Sequence, residues 1–161
     1  MSASREHAAP DDAGAIAPDP PIAARIAHVA LWTRDVDRLE LLREFYERHL
    51  GAHSGAIYRS ERQPGFASYF LDFGDGAKLE LMTLPSEVVA ELPPATPTSP
   101  DRRPGYAHIA LSLGSADAVD AVTARLAADR VPVLSQPRWT GDGYYESVIA
   151  DPDGNLVELT A

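Results

Sequence analysis

Ala27-His28-Val29-Ala30-Leu31 and Ala107-His108-Ile109-Ala110-Leu111 are one phrase written twice, eighty positions apart. A second phrase follows the same beat: Leu79-Glu80-Leu81 returns as Val157-Glu158-Leu159. The His-to-Glu spacing is 52 positions in the first copy and 50 in the second. The chain is therefore a duplicated unit, each copy opening on a histidine and closing on a glutamate. Two imidazoles and two carboxylates at equivalent places of a repeat are what a pseudo-symmetric divalent metal site requires.

Between these markers each copy has the same order of elements. Ile26 to Trp32 reads as a strand. Thr33 or Asp35 can cap a helix that ends at Gly51, with Val36, Leu39, Leu42, Phe45, Tyr46 and Leu50 at helical spacing. Strands are expected at about 53–60, 66–73 and 77–83, the last two joined by the hairpin signal Gly74-Asp75-Gly76. In the second copy Tyr106 to Leu113 is a strand, and Ser115 caps a helix carrying Val119, Val122 and Leu126 on one face. A strand runs from Val131-Pro132 to about Arg138. Strands near 144–150 and 155–160 flank the turn-rich Asp151-Pro152-Asp153-Gly154-Asn155. Each half is β-α-β-β-β, so the fold class is α+β, with two tandem βαβββ modules and eight strands in two sheets.

The divisions follow from composition. Residues 1–24 hold four prolines and three aspartates and read as a flexible tail without the marks of a signal peptide. Residues 25–161 form a single domain: module one at 25–84, a linker at 85–104 with six prolines, and module two at 105–161. A net charge of −10 disfavours nucleic acid and anionic membrane surfaces, and no stretch is long and apolar enough to span a bilayer. The chain has no cysteine, which removes disulfides, thiolate metal sites and a cysteine nucleophile and suits a reducing cytoplasm.

Strand parity sharpens the quartet. Alternation groups His28 with Ile26, Ala30 and Trp32, and His108 with Tyr106, Ala110 and Ser112. It groups Glu80 with Lys78 and Met82, and Glu158 with Leu156 and Thr160. All four polar residues fall on the face away from the helix-covered core. A glutamate set among apolar neighbours is costly to cover unless a cation compensates it, and one divalent ion would serve both. Two histidines and two glutamates without thiolate suit Ni²⁺, Co²⁺ or Zn²⁺, with Mn²⁺ and Fe²⁺ also in the permitted set. The expected ligands are His28, Glu80, His108 and Glu158. Positions left to water would admit substrate oxygens, so the site should be catalytic. Further candidates for substrate contact are Trp32, Arg34, Arg138, Trp139, Tyr144 and Tyr145. The last two adjoin Gly141-Asp142-Gly143, a loop able to act as a flap. His49 and His53, at the end of the first helix, read as surface residues.

With paired modules and this quartet the chain resembles the vicinal oxygen chelate superfamily, particularly its glyoxalase I-like members, over residues 25–161. The residues that carry the resemblance are His28 in Ala-His-Val-Ala-Leu, Phe45-Tyr46 and Leu50-Gly51, His108 in Tyr-Ala-His-Ile-Ala-Leu-Ser, and Asp151-Pro-Asp-Gly-Asn-Leu-Val-Glu158-Leu. The resemblance implies two U-shaped sheets around one metal ion, a homodimer, and a small-molecule substrate. It implies a lyase or isomerase of lactoylglutathione lyase type that moves a proton next to a carbonyl through an enediolate. Glu158 would be the base, and Glu80 its symmetric alternative. Bacterial glyoxalase I places arginine four residues after the first ligand and asparagine four after the second, both for glutathione. Here Trp32 and Leu84 stand there, which leaves a thiol cosubstrate open. An epimerase or lyase of a specialised metabolite, or a non-catalytic drug- or metabolite-binding resistance protein, are the alternatives. The linker is long enough for modules to exchange across a dimer without demanding it.

Overall fold

A computed structural model describes residues 26–74, 76–85, 107–141 and 143–161. The tail at 1–24, nearly all of the linker, Tyr106, Asp75 and Asp142 lie outside them. The order of elements is β1 (His28–Thr33), α1 (Val36–Leu50), β2 (His53–Ser54), β3 (Tyr58–Arg59), β4 (Ala67–Asp72) and β5 (Lys78–Thr83) in module one. Module two has β6 (Ile109–Ser112), α2 (Ala116–Ala128), β7 (Val133–Trp139), β8 (Tyr145–Ala150) and β9 (Leu156–Thr160). Both expected modules are present. One strand differs: the segment read as continuous from 53 to 60 is two short pieces, each paired with β4. Gly55 and Ala56 break it, so the described residues form nine strands where eight are expected.

The two sheets repeat one topology. The first runs β1-β5-β4-β2, with β3 also on β4, and the second runs β6-β9-β8-β7. The outer strand of each pairs in parallel with the module's last strand: β1 with β5, β6 with β9. The register is conserved between copies, Ala30 standing opposite Glu80 and Ala110 opposite Glu158. The two-residue difference in spacing is thus absorbed outside the ladders that carry the histidines and glutamates.

Helix ends follow from local chemistry. Asp35 accepts from the Arg38 N–H at the start of α1, and Gly51 ends it in the left-handed region at φ 71°. Ser115 accepts from the Ala118 N–H at the start of α2. One face of each sheet is covered by its helix. Leu39, Leu42, Phe45 and Tyr46 of α1 share a core with Ala67, Tyr69, Leu71, Leu79 and Leu81. Leu126 of α2 joins the same core with Ile149, Val157 and Leu159. Each fully buried leucine contributes about 1.5–3 kcal/mol, so this shared interior holds the modules as one body.

A polar clasp reinforces it. Asp151, in the β8–β9 turn, is buried and accepts from the Tyr46 hydroxyl of module one at 3.0 Å. It also accepts from the N–H groups of Asp153 and Asn155 and from the Asn155 amide. Asp153 in turn accepts from Arg38 Nε at 2.7 Å and from the Thr33 hydroxyl. Burial pushes the Asp151 carboxyl above its ordinary value of 3.8, against the pull of these donors. The native protein therefore takes up that proton before the unfolded chain does. Asp151's contribution to stability is full below about 3.8 and declines as pH rises through the raised value. Tyr46→Phe removes one donor from the carboxylate and is expected to cost about 1–3 kcal/mol at neutral pH, and less in acid. Thermal melts at pH 7 and pH 4 check this. An equal loss at both would mean that the hydroxyl does not act through the Asp151 charge.

Candidate metal centre

The open face of each sheet carries one His–Glu pair. In the first, His28 Nε2 and Glu80 Oε2 are 3.7 Å apart; in the second, His108 Nε2 and Glu158 Oε2 are 3.4 Å apart. The ladders place them so. Each histidine lies two residues before the alanine that faces the glutamate, which puts both side chains on one face of a parallel pair. The carboxylates are the more covered groups: the Glu80 and Glu158 side chains are 13% and 16% exposed, with both imidazoles more open. Two ligand atoms each about 2.0–2.2 Å from one ion, at tetrahedral to octahedral angles, lie about 2.8–3.6 Å apart. The second pair already has that separation and the first is within a tenth of an ångström or so of it. In donor chemistry and spacing the residues fit a divalent ion.

Each pair is half of a set. Among the described residues no three His, Asp or Glu side chains converge on a common point. A cleft of about 270 Å³ between the modules is lined by Ile26, Val29, Phe73, Lys78 and Leu79 of module one and by His108 to Leu111 of module two. Strand β6 thus adjoins the start of the β1–β5 ladder, and each His–Glu pair stays on its own ladder without meeting the other.

The remaining candidates separate by face. Trp32 lies on the open face of β1, opposite Met82, and packs edge-on against Phe66 at 6.2 Å between centroids. Arg34 is exposed in the turn that follows. Arg138 stands opposite Glu146 and pairs with it at 3.1 Å. Glu146 shares the parity of Val148, which faces Glu158, so Arg138 is brought to the glutamate's face. Trp139 and Tyr145 go the other way. They face each other across β7–β8, with ring centroids 5.2 Å apart, and the Tyr145 hydroxyl donates to Asp120 of α2. Both lie on the helix-covered side, away from Glu158. Tyr144 is exposed in the hairpin loop, whose base is tied by hydrogen bonds between Thr140 and Tyr144. His49, read as a surface residue, packs against Phe45 and lies 3.6 Å from Asp129; burial lowers its pKa.

The structure adds residues that alternation along one strand does not reveal. Phe70 faces Glu80 across β4–β5 and meets the His28 ring edge-on at 5.5 Å. Tyr58 packs on Phe66 at 6.2 Å, and beyond it Tyr58, Arg59, Glu61 and Arg62 line a cleft of about 340 Å³. Finding Phe70 requires the β4–β5 register.

Duplicated βαβββ modules with mirrored His–Glu pairs define a class of paired-module proteins. The sequence matches the Glyoxalase/Bleomycin resistance protein/Dioxygenase superfamily over residues 25–159, and the chain belongs to that superfamily. No curated protein matches it. Among solved structures it is similar to SMU.1112c, with 25% identity, 86% of this chain and 98% of that chain covered, and a TM-score of 0.66. It is also similar to the trypanothione-dependent glyoxalase I of Leishmania major, with 21% identity, 86% of each chain covered and a TM-score of 0.61. Glyoxalase I from Zea mays is 18% identical with a TM-score of 0.63, covering 84% of this chain and 44% of the maize chain. The latter two likenesses carry the fold alone. Among the described residues no helix is long and apolar enough to cross a membrane.

Proposed function

We propose that the chain is a divalent-metal-dependent lyase or isomerase of glyoxalase I type, acting on a small molecule with two neighbouring oxygens. The observation that carries this is the duplicated His–Glu pair, each with a largely covered carboxylate 3.4–3.7 Å from an imidazole nitrogen. His28, Glu80, His108 and Glu158 would hold the ion. Because the two pairs of one chain do not meet, the complete set is formed by module one of one protomer and module two of a second copy. The assembly is then a homodimer with two equal sites.

When bound, the ion supplies positive charge that stabilises the negative charge developing on substrate oxygens. The chain's own residues do the rest. Glu158 takes the proton from the carbon beside the carbonyl and returns it to the neighbouring carbon, with Glu80 placed to do the same from the opposite side. Arg138, held by Glu146, is available to an anionic substrate group.

The test is turnover of hemithioacetals made from several thiols, with the protein loaded in turn with Ni²⁺, Co²⁺ or Zn²⁺. Turnover that a chelator abolishes and metal restores is expected. Turnover indifferent to chelation contradicts the reading. A second reading, an epimerase or lyase of another metabolite on the same centre, is favoured by Trp32 and Leu84 at the positions where a glutathione clamp would stand. Metal-dependent binding with no turnover of any hemithioacetal would select it.

A further inference from the structure

The open face of the first sheet is aromatic well beyond the needs of a His–Glu pair. Phe70 begins the row beside His28. Two residues past the Glu80 level, Trp32 stands opposite Met82, and Met82 opposite Ser68, which itself faces Tyr58. Trp32 and Tyr58 both lean on Phe66. These rings remain open: Trp32 is 48%, Tyr58 56% and Phe70 43% exposed. In the floor of the row the Ser68 hydroxyl is buried with no hydrogen-bond partner, as is the Thr160 hydroxyl on the second sheet.

The fold does not require the rings, because the second sheet has the same architecture without them. By register, Trp32, Met82 and Phe70 correspond to Ser112, Thr160 and Val148. Among the described residues the His–Glu pairs are alike and only one of the two faces is aromatic. At about 3.3 Å per residue, the row runs from His28 to a point about 13 Å along β1, with the Glu80 level midway. An arm leaving the metal would meet Phe70 first and Trp32 about 7 Å further on.

We infer that this row is the specificity subsite of the centre, taking a planar apolar arm one to two aromatic rings long on the carbon next to the chelating oxygens. The inference rests on the metal-centre reading above and adds the substrate class: aryl-substituted two-oxygen compounds, in place of the charged peptide thiol adducts that an arginine at position 32 would serve. Stacked or edge-on contacts with rings are the interactions such an arm makes.

Three probes test it, sharing one chelating head: acetohydroxamate, benzohydroxamate and 4-phenylbenzohydroxamate. Binding to the Zn²⁺-loaded full chain is measured by calorimetry, and by fluorescence in a Trp139→Phe background where Trp32 is the sole tryptophan. Affinity is expected to rise about tenfold with each ring, with Trp32 quenched most by the two-ring probe. Trp32→Ala and Phe66→Ala should each remove most of the gain of the second ring and leave acetohydroxamate binding unchanged. Equal affinity for all three probes, or a gain that survives both substitutions, overturns the inference. Loss of the dimer on Trp32→Ala in sedimentation also overturns it, because the row would then be covered by the second copy. The metal reading fails separately: acetohydroxamate would not bind, while Trp32 quenching by the two-ring probe in metal-free protein would still support the subsite.

Discussion

Replacing Glu158 with glutamine is expected to lower turnover about 10²–10⁴-fold, the range for losing a positioned general base. The fold should be undisturbed. Glutamine keeps the shape and one oxygen donor, and Glu158 sits on the open face rather than in the core. Bound metal should fall less than turnover does, which separates loss of the base from loss of the ion. Glu80→Gln is the matched control. If Glu158 is the base, Glu80→Gln affects metal affinity at least as much but spares proton transfer in the protein that remains loaded. Turnover unchanged by Glu158→Gln would remove this residue from the mechanism, and equal losses from both variants would make the carboxylates interchangeable.

The second large effect comes from mixing two inactive proteins. A chain with His28→Ala and Glu80→Gln lacks the module-one pair; a chain with His108→Ala and Glu158→Gln lacks the module-two pair. Neither alone forms a four-ligand site, whether within or between chains. When unfolded together and refolded, they should form hybrid dimers in which one site unites the two intact pairs. Random pairing makes hybrids about half of the dimers, each with one good site in two, so activity and bound metal should both return to about a quarter of the native value. A site enclosed by one chain would recover nothing.

Much of this was legible in the sequence because a duplication supplies its own control. A single His28 or Glu80 on a strand reads as an ordinary solvated residue; a matched second pair does not. Strand parity placed all four on the open faces, as the ladders confirm. The capping residues Asp35, Ser115 and Gly51 worked as local chemistry dictates. What alternation along a strand lacks is the partner across the ladder. Tyr145 and Trp139 looked like site residues by proximity to glycines, but the β7–β8 register turns them to the sheet face opposite Glu158, where Asp120 of α2 holds the Tyr145 hydroxyl. Phe70 went unnoticed because its place depends on facing Glu80. The broken strand at Gly55 shows the same limit: two short bridges to β4 satisfy the backbone where alternation suggested one continuous run. The packing of the two modules on each other was also out of reach. It is decided by the shared core of Leu126, Val157 and Leu159 with α1 and by the clasp at Asp151, which join residues far apart in the chain.

The central claim is that His28, Glu80, His108 and Glu158 together hold one divalent ion per chain. Elemental analysis of protein purified without chelators, run beside His28→Ala and His108→Ala, tests it most directly. One equivalent of Ni²⁺, Co²⁺, Zn²⁺, Mn²⁺ or Fe²⁺ per native chain, and loss of most of it in either variant, is the predicted result. A native chain that carries no such metal and takes up none on reconstitution, or one whose metal both variants retain in full, would contradict the account.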